Sequence, residues 1–485
     1  MDTQPANLYA GKGLYIAGQW TEGTGGRLTV IDPATEQSIG EIPKASPADL
    51  TAAVDAAAEA FPRWRATSPW ERARLLHAVA AHIRANLDGY ARIMTREIGK
   101  PLAEAKGEFT VAAEQFEWYA GEAQRIYGQT IEGRTPETRM VVLQQPVGPV
   151  AAFTPWNFPG FLPARKIAPA LAAGCTVVIK PAEEAPGSCM AILEAIAAAG
   201  VPAGVVNMVT GSPDEVSRHL IADQRIRKVS FTGSVPVGKH LLKLAAEDVK
   251  RVSMELGGHA PVIVFDDADP LMAAEAAARA KFRNAGQVCV SPTRFFIHEK
   301  VYDAFTDRFV QVAKSIKVGN GLEAGIEMGP VASKKRFDSA MSFVQDAVEK
   351  GAKLLAGGGA MPGQNRGFFF APTVLGDVPE TARIMSEEPF APVAPLVSFS
   401  DIGETIRKAN SLPYGLAAYL FTKDLKRATE TAEQLEAGMV GVNDVLISTA
   451  EAPFGGVKQS GVGREGGSLG IKDYLEPHYI RYKLV

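Results

Sequence analysis

Cys289 is one of three cysteines in a chain of 485 residues. It ends the segment Lys281-Phe282-Arg283-Asn284-Ala285-Gly286-Gln287-Val288-Cys289. A carboxylate, Glu255, stands upstream in Met254-Glu255-Leu256-Gly257-Gly258-His259, and an amide, Asn157, in Thr154-Pro155-Trp156-Asn157-Phe158-Pro159. A soft nucleophile, a base and a neutral hydrogen-bond donor suffice for acyl chemistry through a thioester. A free thiol is only about a few per cent ionised near neutral pH, so it needs a base or an electropositive setting to react.

Composition excludes several other classes. Hydrophobic residues make up 46% and charged residues 22% of the chain, values of a soluble globular protein large enough for two or three domains. A formal net charge of −3 gives no electrostatic reason for nucleic acid or an anionic membrane as partner. Met1-Asp2-Thr3-Gln4-Pro5 lacks a basic region followed by an apolar run, and no apolar stretch has bilayer-spanning length, so a cytoplasmic protein is expected. Cys175 and Cys189 sit in apolar contexts and read as structural. The seven histidines show no metal-binding spacing, and no metal is expected.

The elements that must position Cys289, Glu255 and Asn157 have an α/β texture. Helical periodicity runs over 47–60 and 69–87. From Val147 short β-branched runs (147–154, 176–180, 205–209, 228–232) alternate with helical stretches (162–173, 187–199), the pattern of βαβ units and a parallel sheet. A second α/β segment spans about 260–454, with strands at 260–265 and 293–298 and helices over 270–283 and 300–317. Arg139–Gln145 and Tyr479–Val485 fit neither body and read as extended arms, which often pair with another subunit, or else as a local hairpin.

Three motif matches mislead. Gly233-Ser234-Val235-Pro236-Val237-Gly238-Lys239 follows a strand like a P-loop, but His240 stands where Ser or Thr would hold magnesium. Gly461-Val462-Gly463-Arg464-Glu465-Gly466 has dinucleotide spacing without a preceding strand or a following βαβ unit. Gly466-Gly467-Ser468-Leu469-Gly470 lacks the strand of a nucleophile elbow.

Thr154–Pro159, Phe231-Thr232-Gly233-Ser234, Glu255-Leu256-Gly257-Gly258, Cys289, Glu388-Pro389-Phe390 and Pro453-Phe454-Gly455-Gly456 together resemble the NAD(P)-dependent aldehyde dehydrogenase superfamily over nearly the whole chain. The resemblance implies an α/β fold with an atypical Rossmann cofactor domain (1–124, 148–257 and 461–473), an α/β catalytic domain (258–460) and a β oligomerisation arm (125–147 and 474–485). It also implies homodimers or homotetramers. In that pattern Cys289 attacks the aldehyde, the Asn157 amide and the Cys289 N–H hold the oxyanion, and Glu255 activates the water that hydrolyses the thioester. Thr154, Pro155, Trp156, Lys180, Glu183, Phe231, Thr232, Gly233, Ser234, Leu256, Glu388 and Phe390 match cofactor contacts. A carboxylate at Glu183 accepts ribose hydroxyls and repels a 2′-phosphate, so NAD is the expected cofactor and NADP the alternative. Ala391 replaces a common glycine of the Glu388 motif, and Ser291 stands where some relatives carry a second cysteine.

Arg165, Arg283 and Ser448 match the carboxylate-binding residues of succinate-semialdehyde dehydrogenases. Two guanidinium groups suit a substrate with a distal carboxylate, because Arg grips carboxylate in a fork. The expected substrate is a short dicarboxylic semialdehyde, succinate semialdehyde first. Met254–Val262 and Lys281–Arg294 look equally like 2-oxoglutarate-semialdehyde dehydrogenases, and glutarate semialdehyde or an aromatic aldehyde are further alternatives. A thioester-releasing coenzyme A enzyme of this family would usually lack Glu255, and a non-enzymatic scaffold would not need Cys289, Glu255 and Asn157 together.

Overall fold

The computed structural model describes residues 7–484. Met1–Ala6 and Val485, the outer ends of the expected cofactor domain and arm, lie outside the described residues. The first sheet is built on strands β1 (Val150–Phe153), β2 (Val177–Lys180), β3 (Val206–Met208), β4 (Lys228–Gly233) and β5 (Arg251–Leu256), each parallel to its neighbour among these five. Their order across the sheet is β5-β4-β1-β2-β3. The chain steps outward from β1 to β3, then returns to lay β4 on the other side of β1. That reversal makes the β1/β4 boundary a topological switch point, where the carboxyl ends of the strands leave a crevice.

The central strands β1 and β2 read as short apolar runs because both faces are covered. Every residue of β1 and β2 is buried, as in parallel sheets flanked by helices on both sides. Helix α2 (Phe161–Ala173) is buried at every position, Arg165 and Lys166 included, and ends at Gly174 with φ 96°. Helix α1 (Leu102–Ala123) buries Ala105, Glu108, Phe109, Ala112, Ala113 and Phe116, a stripe at helical spacing. Helix α3 (Val235–Ala246) starts directly after β4, with Ser234 at its N-cap. The P-loop-like segment is therefore a strand end and a first helical turn, with Pro236 at a position that tolerates proline.

Helix α4 (Pro270–Phe282) leads into the Cys289 segment. The second sheet has the order Lys353–Ala356, Thr373–Gly376, Val393–Phe399, Pro292–His298, Ala260–Val264, Ala417–Phe421, Met439–Val442, parallel except for its first pair. A third, antiparallel sheet joins Gln129–Glu132, Thr138–Pro146 and Leu475–Lys483. The two expected arms thus pair with each other, from Leu475↔Pro146 to Lys483↔Thr138. The helix expected over 47–60 continues to Ala66 through Pro62, its last turn held by buried Trp64. The helix expected over 300–317 spans Tyr302–Ser315 after a short 3₁₀ turn. No helix among the described residues is long and apolar enough to cross a membrane.

Candidate active site

One cleft of about 810 Å³ runs along the carboxyl ends of β1, β2, β4 and β5. Asn157, Glu255 and Cys289 all line it, and so do Thr154, Pro155, Trp156, Lys180, Glu183, Phe231, Thr232, Gly233, Ser234, Leu256, Glu388 and Phe390. Three different elements deliver the reactive groups. Glu255 is the penultimate residue of β5, Asn157 follows β1, and Cys289 follows the 3₁₀ turn Arg283–Gly286 after α4.

Asn157 is 3% exposed and donates from Nδ2 to the Gln287 carbonyl at 3.1 Å. Its own carbonyl accepts from Lys100 Nζ and from Asn284 Nδ2, each at 3.0 Å. The amide is therefore fixed to the loop that carries Cys289, with its second N–H remaining for a substrate oxygen. Glu255 is 2% exposed, and neither carboxylate oxygen has a hydrogen-bond partner among the described residues. Gly455 makes room for it: a Cβ there would stand 2.8 Å from Glu255 Oε1. This gives the Phe454-Gly455-Gly456 turn a steric reason.

Burial favours the uncharged forms of the ionisable groups in the free cleft. Burial pushes the Cys289 thiol up to about 12, reinforced by Glu388 and Glu255 and opposed by Arg165. Burial and the nearby Glu465 push the Glu255 carboxyl well above the usual range, against Arg165, Lys166 and Arg464. Glu388, whose Oε1 accepts the Gly258 N–H at 3.2 Å, is raised by burial to about 7. A carboxyl so placed can take a proton near neutral pH, as a general base must.

Sequence reasoning missed Glu465 and Lys166. Glu465 lines the cleft at 4% exposure, and its Oε1 pairs with Lys166 Nζ at 2.6 Å. Lys166 Nζ also reaches Ser230 Oγ at 3.2 Å, which lies 3.3 Å from the Tyr474 hydroxyl. The available signal was a lysine in the otherwise largely apolar helix α2, since a lysine that is fully buried usually has a partner.

Arg165, Arg283 and Ser448 do not line the cleft; they flank it. The Arg165 guanidinium lies 5.0 Å from the Phe161 ring centre and 4.2 Å from that of Phe454, a cleft residue. Nη1 donates to Ser448 Oγ at 3.3 Å, while Nε and Nη2 have no hydrogen-bond partner among the described residues. Glu465 Oε2 is 3.7 Å from Nε. Arg283 is exposed and sits 5.5 Å from the Phe158 ring centre. Phe158, Phe161, Leu162 and Val288 form one apolar cluster beside the cysteine, so the two guanidinium groups lie on aromatic rings of one wall.

The cleft fits a nicotinamide dinucleotide. The Thr154 and Thr232 hydroxyls are buried without partners, Ser234 makes no side-chain cap, and the α3 N-terminus lines the opening. Unpaired backbone N–H groups at a helix N-terminus suit a pyrophosphate. Glu183 carries a 2.6 Å ion pair to Lys180, and Glu184 and Asp214 also line the cleft. Ala391 is buried, and its neighbour Phe390 is left-handed with a φ of 46°.

A doubly wound sheet with a cysteine, an amide and a carboxylate on its switch-point cleft defines an oxidoreductase acting on aldehydes. A profile of the aldehyde dehydrogenase family matches residues 20–480, and the chain belongs to that family. It is 47% identical over 481 residues to glutarate-semialdehyde dehydrogenase of Pseudomonas putida, covering 99% of each chain. It is 46% identical over 481 residues to GabD, the NADP(+) succinate-semialdehyde dehydrogenase of Escherichia coli, again covering 99% of each. A crystal structure of an NADP-dependent E. coli enzyme superposes with a TM-score of 0.96 at 46% identity, over 98% of each chain. Aldehyde dehydrogenases of this family use NAD(P).

The raised thiol gives a signed expectation. Thiolate increases as pH rises towards the thiol's pKa, so alkylation of Cys289 by iodoacetamide in the cofactor-free protein should climb about tenfold per pH unit between about pH 7 and about pH 9. A rate independent of pH across that window would mean that the thiolate is already formed at neutrality.

Proposed function

We propose that this protein oxidises a short dicarboxylic semialdehyde, succinate semialdehyde first, to its diacid through a thioester on Cys289. The observation that carries the reading is Arg165: a buried guanidinium with two nitrogens that make no hydrogen bond, one of them 3.7 Å from Glu465, stacked on cleft residue Phe454 and fixed through Ser448. Burying a cation with spare donors is costly, and a substrate carboxylate would satisfy them. Arg283, on the same apolar wall, adds a second positive charge reached from solvent. The relatives named for glutarate and succinate semialdehyde support the same substrate class.

Each step has a residue suited to it. Glu255 in its ionised form takes the Cys289 proton and releases it to water in the cleft, and the sulfur attacks the aldehyde carbon. The free N–H of the Asn157 amide and the Cys289 backbone N–H stabilise the oxyanion; losing one such donor typically costs about 3–4 kcal/mol of barrier. When bound along Thr154–Trp156, Lys180, Glu183, Phe231–Ser234, Leu256, Glu388 and Phe390, the dinucleotide supplies the two-electron oxidant for that carbon. Glu255 then deprotonates a water that hydrolyses the thioester. That proton passes to the Cys289 sulfur as the diacid leaves, and Glu465, paired with Lys166 at 2.6 Å, is the next carboxylate along the buried network. Glu183, Glu184 and Asp214 place negative charge on the cleft wall, which favours NAD over NADP. The domain boundaries given above remain the assignment, and the three-stranded antiparallel sheet, with exposed Ile131, Leu143, Tyr479 and Tyr482, joins copies into a homodimer or homotetramer.

Four variants test this reading. Cys289→Ala should abolish NADH formation while leaving NAD binding intact by calorimetry, and Glu255→Gln should yield one enzyme equivalent of NADH and then stall; steady turnover in either variant would reassign the nucleophile or the base. Arg283→Ala should lower kcat/KM for succinate semialdehyde about tenfold to a hundredfold, the worth of a charged hydrogen bond, and leave an uncharged aldehyde of the same length nearly unaffected. Equal losses for the two substrates would remove the carboxylate clamp. Glu183→Ser should raise the ratio of kcat/KM for NADP over NAD, and an unchanged ratio would place cofactor selection elsewhere.

A further inference from the structure

Helix α1 and the residues just before it hold three buried or half-buried charges that the reaction does not consume. Glu104 and Glu108 lie one helical turn apart, and Lys100 precedes the helix. Glu108 Oε1 accepts the backbone N–H of Gly160 at 2.9 Å and of Phe161 at 3.1 Å, at the start of α2. Its other oxygen pairs with Lys100, which in turn donates to the Asn157 carbonyl at 3.0 Å. Glu104 accepts the Asn284 N–H at 3.1 Å and 3.4 Å on its two oxygens.

The Asn284 contact falls on strained backbone. Asn284, Ala285 and Gly286 have φ of 49°, 52° and 72° in succession. Left-handed backbone is disfavoured for residues with a Cβ and persists only where the surroundings over-determine it. Here the turn is held from several sides. Asn284 Nδ2 bonds the Asn157 and Gln287 carbonyls at 3.0 and 3.2 Å, and Gln287 Oε1 accepts from Ala332 N at 2.9 Å. Gly286 is pressed so closely on the Ala391 carbonyl that a Cβ would lie 2.2 Å from its oxygen.

We propose that Glu104 is a positioning residue for the reaction: by holding the Asn284 N–H it locks the left-handed turn that aims Cys289 at the Asn157 amide, while Glu108 on the same helix and Lys100 just before it hold the Asn157 loop. The proposal rests on the reading of Cys289 and Asn157 as nucleophile and oxyanion donor. One rigid helix thereby sets the distance between two loops that belong to different sheets. Loss of the Glu104 acceptor frees the turn to relax, and a misplacement of about 1 Å at reacting atoms costs up to about a hundredfold in rate.

The test compares Glu104→Ala, Glu104→Gln and wild type in the full-length protein. Three quantities are measured: alkylation of Cys289 by iodoacetamide, read from the Cys289 peptide by mass spectrometry; the Kd for NAD by calorimetry; and kcat for the semialdehyde. For Glu104→Ala, alkylation and kcat should each change by about tenfold or more, with the Kd for NAD within about twofold and a wild-type circular dichroism spectrum. Glu104→Gln keeps one carbonyl oxygen for the Asn284 N–H and should restore most of both rates, which a generic loss of stability would not allow. Wild-type alkylation in Glu104→Ala, or an equal loss in Glu104→Gln, would overturn the proposal. Should Glu104→Ala fail to fold, Glu104→Asp withdraws the oxygens by one methylene while keeping the charge, and an unchanged alkylation rate there overturns it equally. Alkylation needs neither aldehyde nor cofactor, so its outcome stands apart from whether the substrate has been identified correctly.

Discussion

The Asn157 carbonyl is the point on which the two halves of the molecule meet. It belongs to the loop after β1, in the first sheet, yet it accepts from Asn284, in the loop that enters the second sheet, and from Lys100, before α1. The Asn157 side chain donates back across the same gap to Gln287. Two loops far apart in sequence are thus bonded amide to carbonyl. The left-handed residues Asn284 and Ala285 cost about 1–2 kcal/mol each. The bonds that hold them contribute about 1 kcal/mol each, so the turn is close to balanced and depends on every partner being present.

Around that point lies a group of ionisable side chains with little access to water. Glu255, Glu465, Arg165 and Lys166 come from three separate segments, and all are less than a tenth exposed. In a low-dielectric setting each charge acts on its neighbours with little screening. Lys281, fully buried with no partner for Nζ among the described residues, is pushed down to about 7 by burial, with Glu388 opposing. Burial therefore favours the uncharged forms of the Cys289 thiol and the Glu255 carboxyl in the free cleft.

Much of this was legible in the sequence, and the exceptions share a cause. The apolar runs at 150–153 and 177–179 announce a parallel sheet because both faces are buried and no polar residue interrupts them. Cys289, Glu255 and Asn157 stand in motifs whose types match the chemistry, and they line one cleft. Helix α1 goes unmarked because Glu108, Gln115 and Glu122 lie on its buried side, where periodicity leads one to expect apolar residues. Glu465 and Lys166 were hidden for a related reason: their pairing joins positions almost 300 residues apart, and no local pattern carries that information. The Tyr479–Lys483 stretch showed its extended character but not its partner, since the register with Thr138–Val142 depends on how the whole chain returns.

The distribution of sulfur has a bearing on oxidative damage. Cys175 and Cys189 are both fully buried, and burial raises the Cys175 thiol to about 11 and the Cys189 thiol higher still. Position 291, two residues beyond Cys289, is a serine. A sulfenic acid formed on Cys289 by peroxide therefore finds no neighbouring thiol with which to condense into an internal disulfide. Recovery must come from a small reducing thiol diffusing in from outside, and where that supply is short, oxidation proceeds to the sulfinic stage and the molecule is lost.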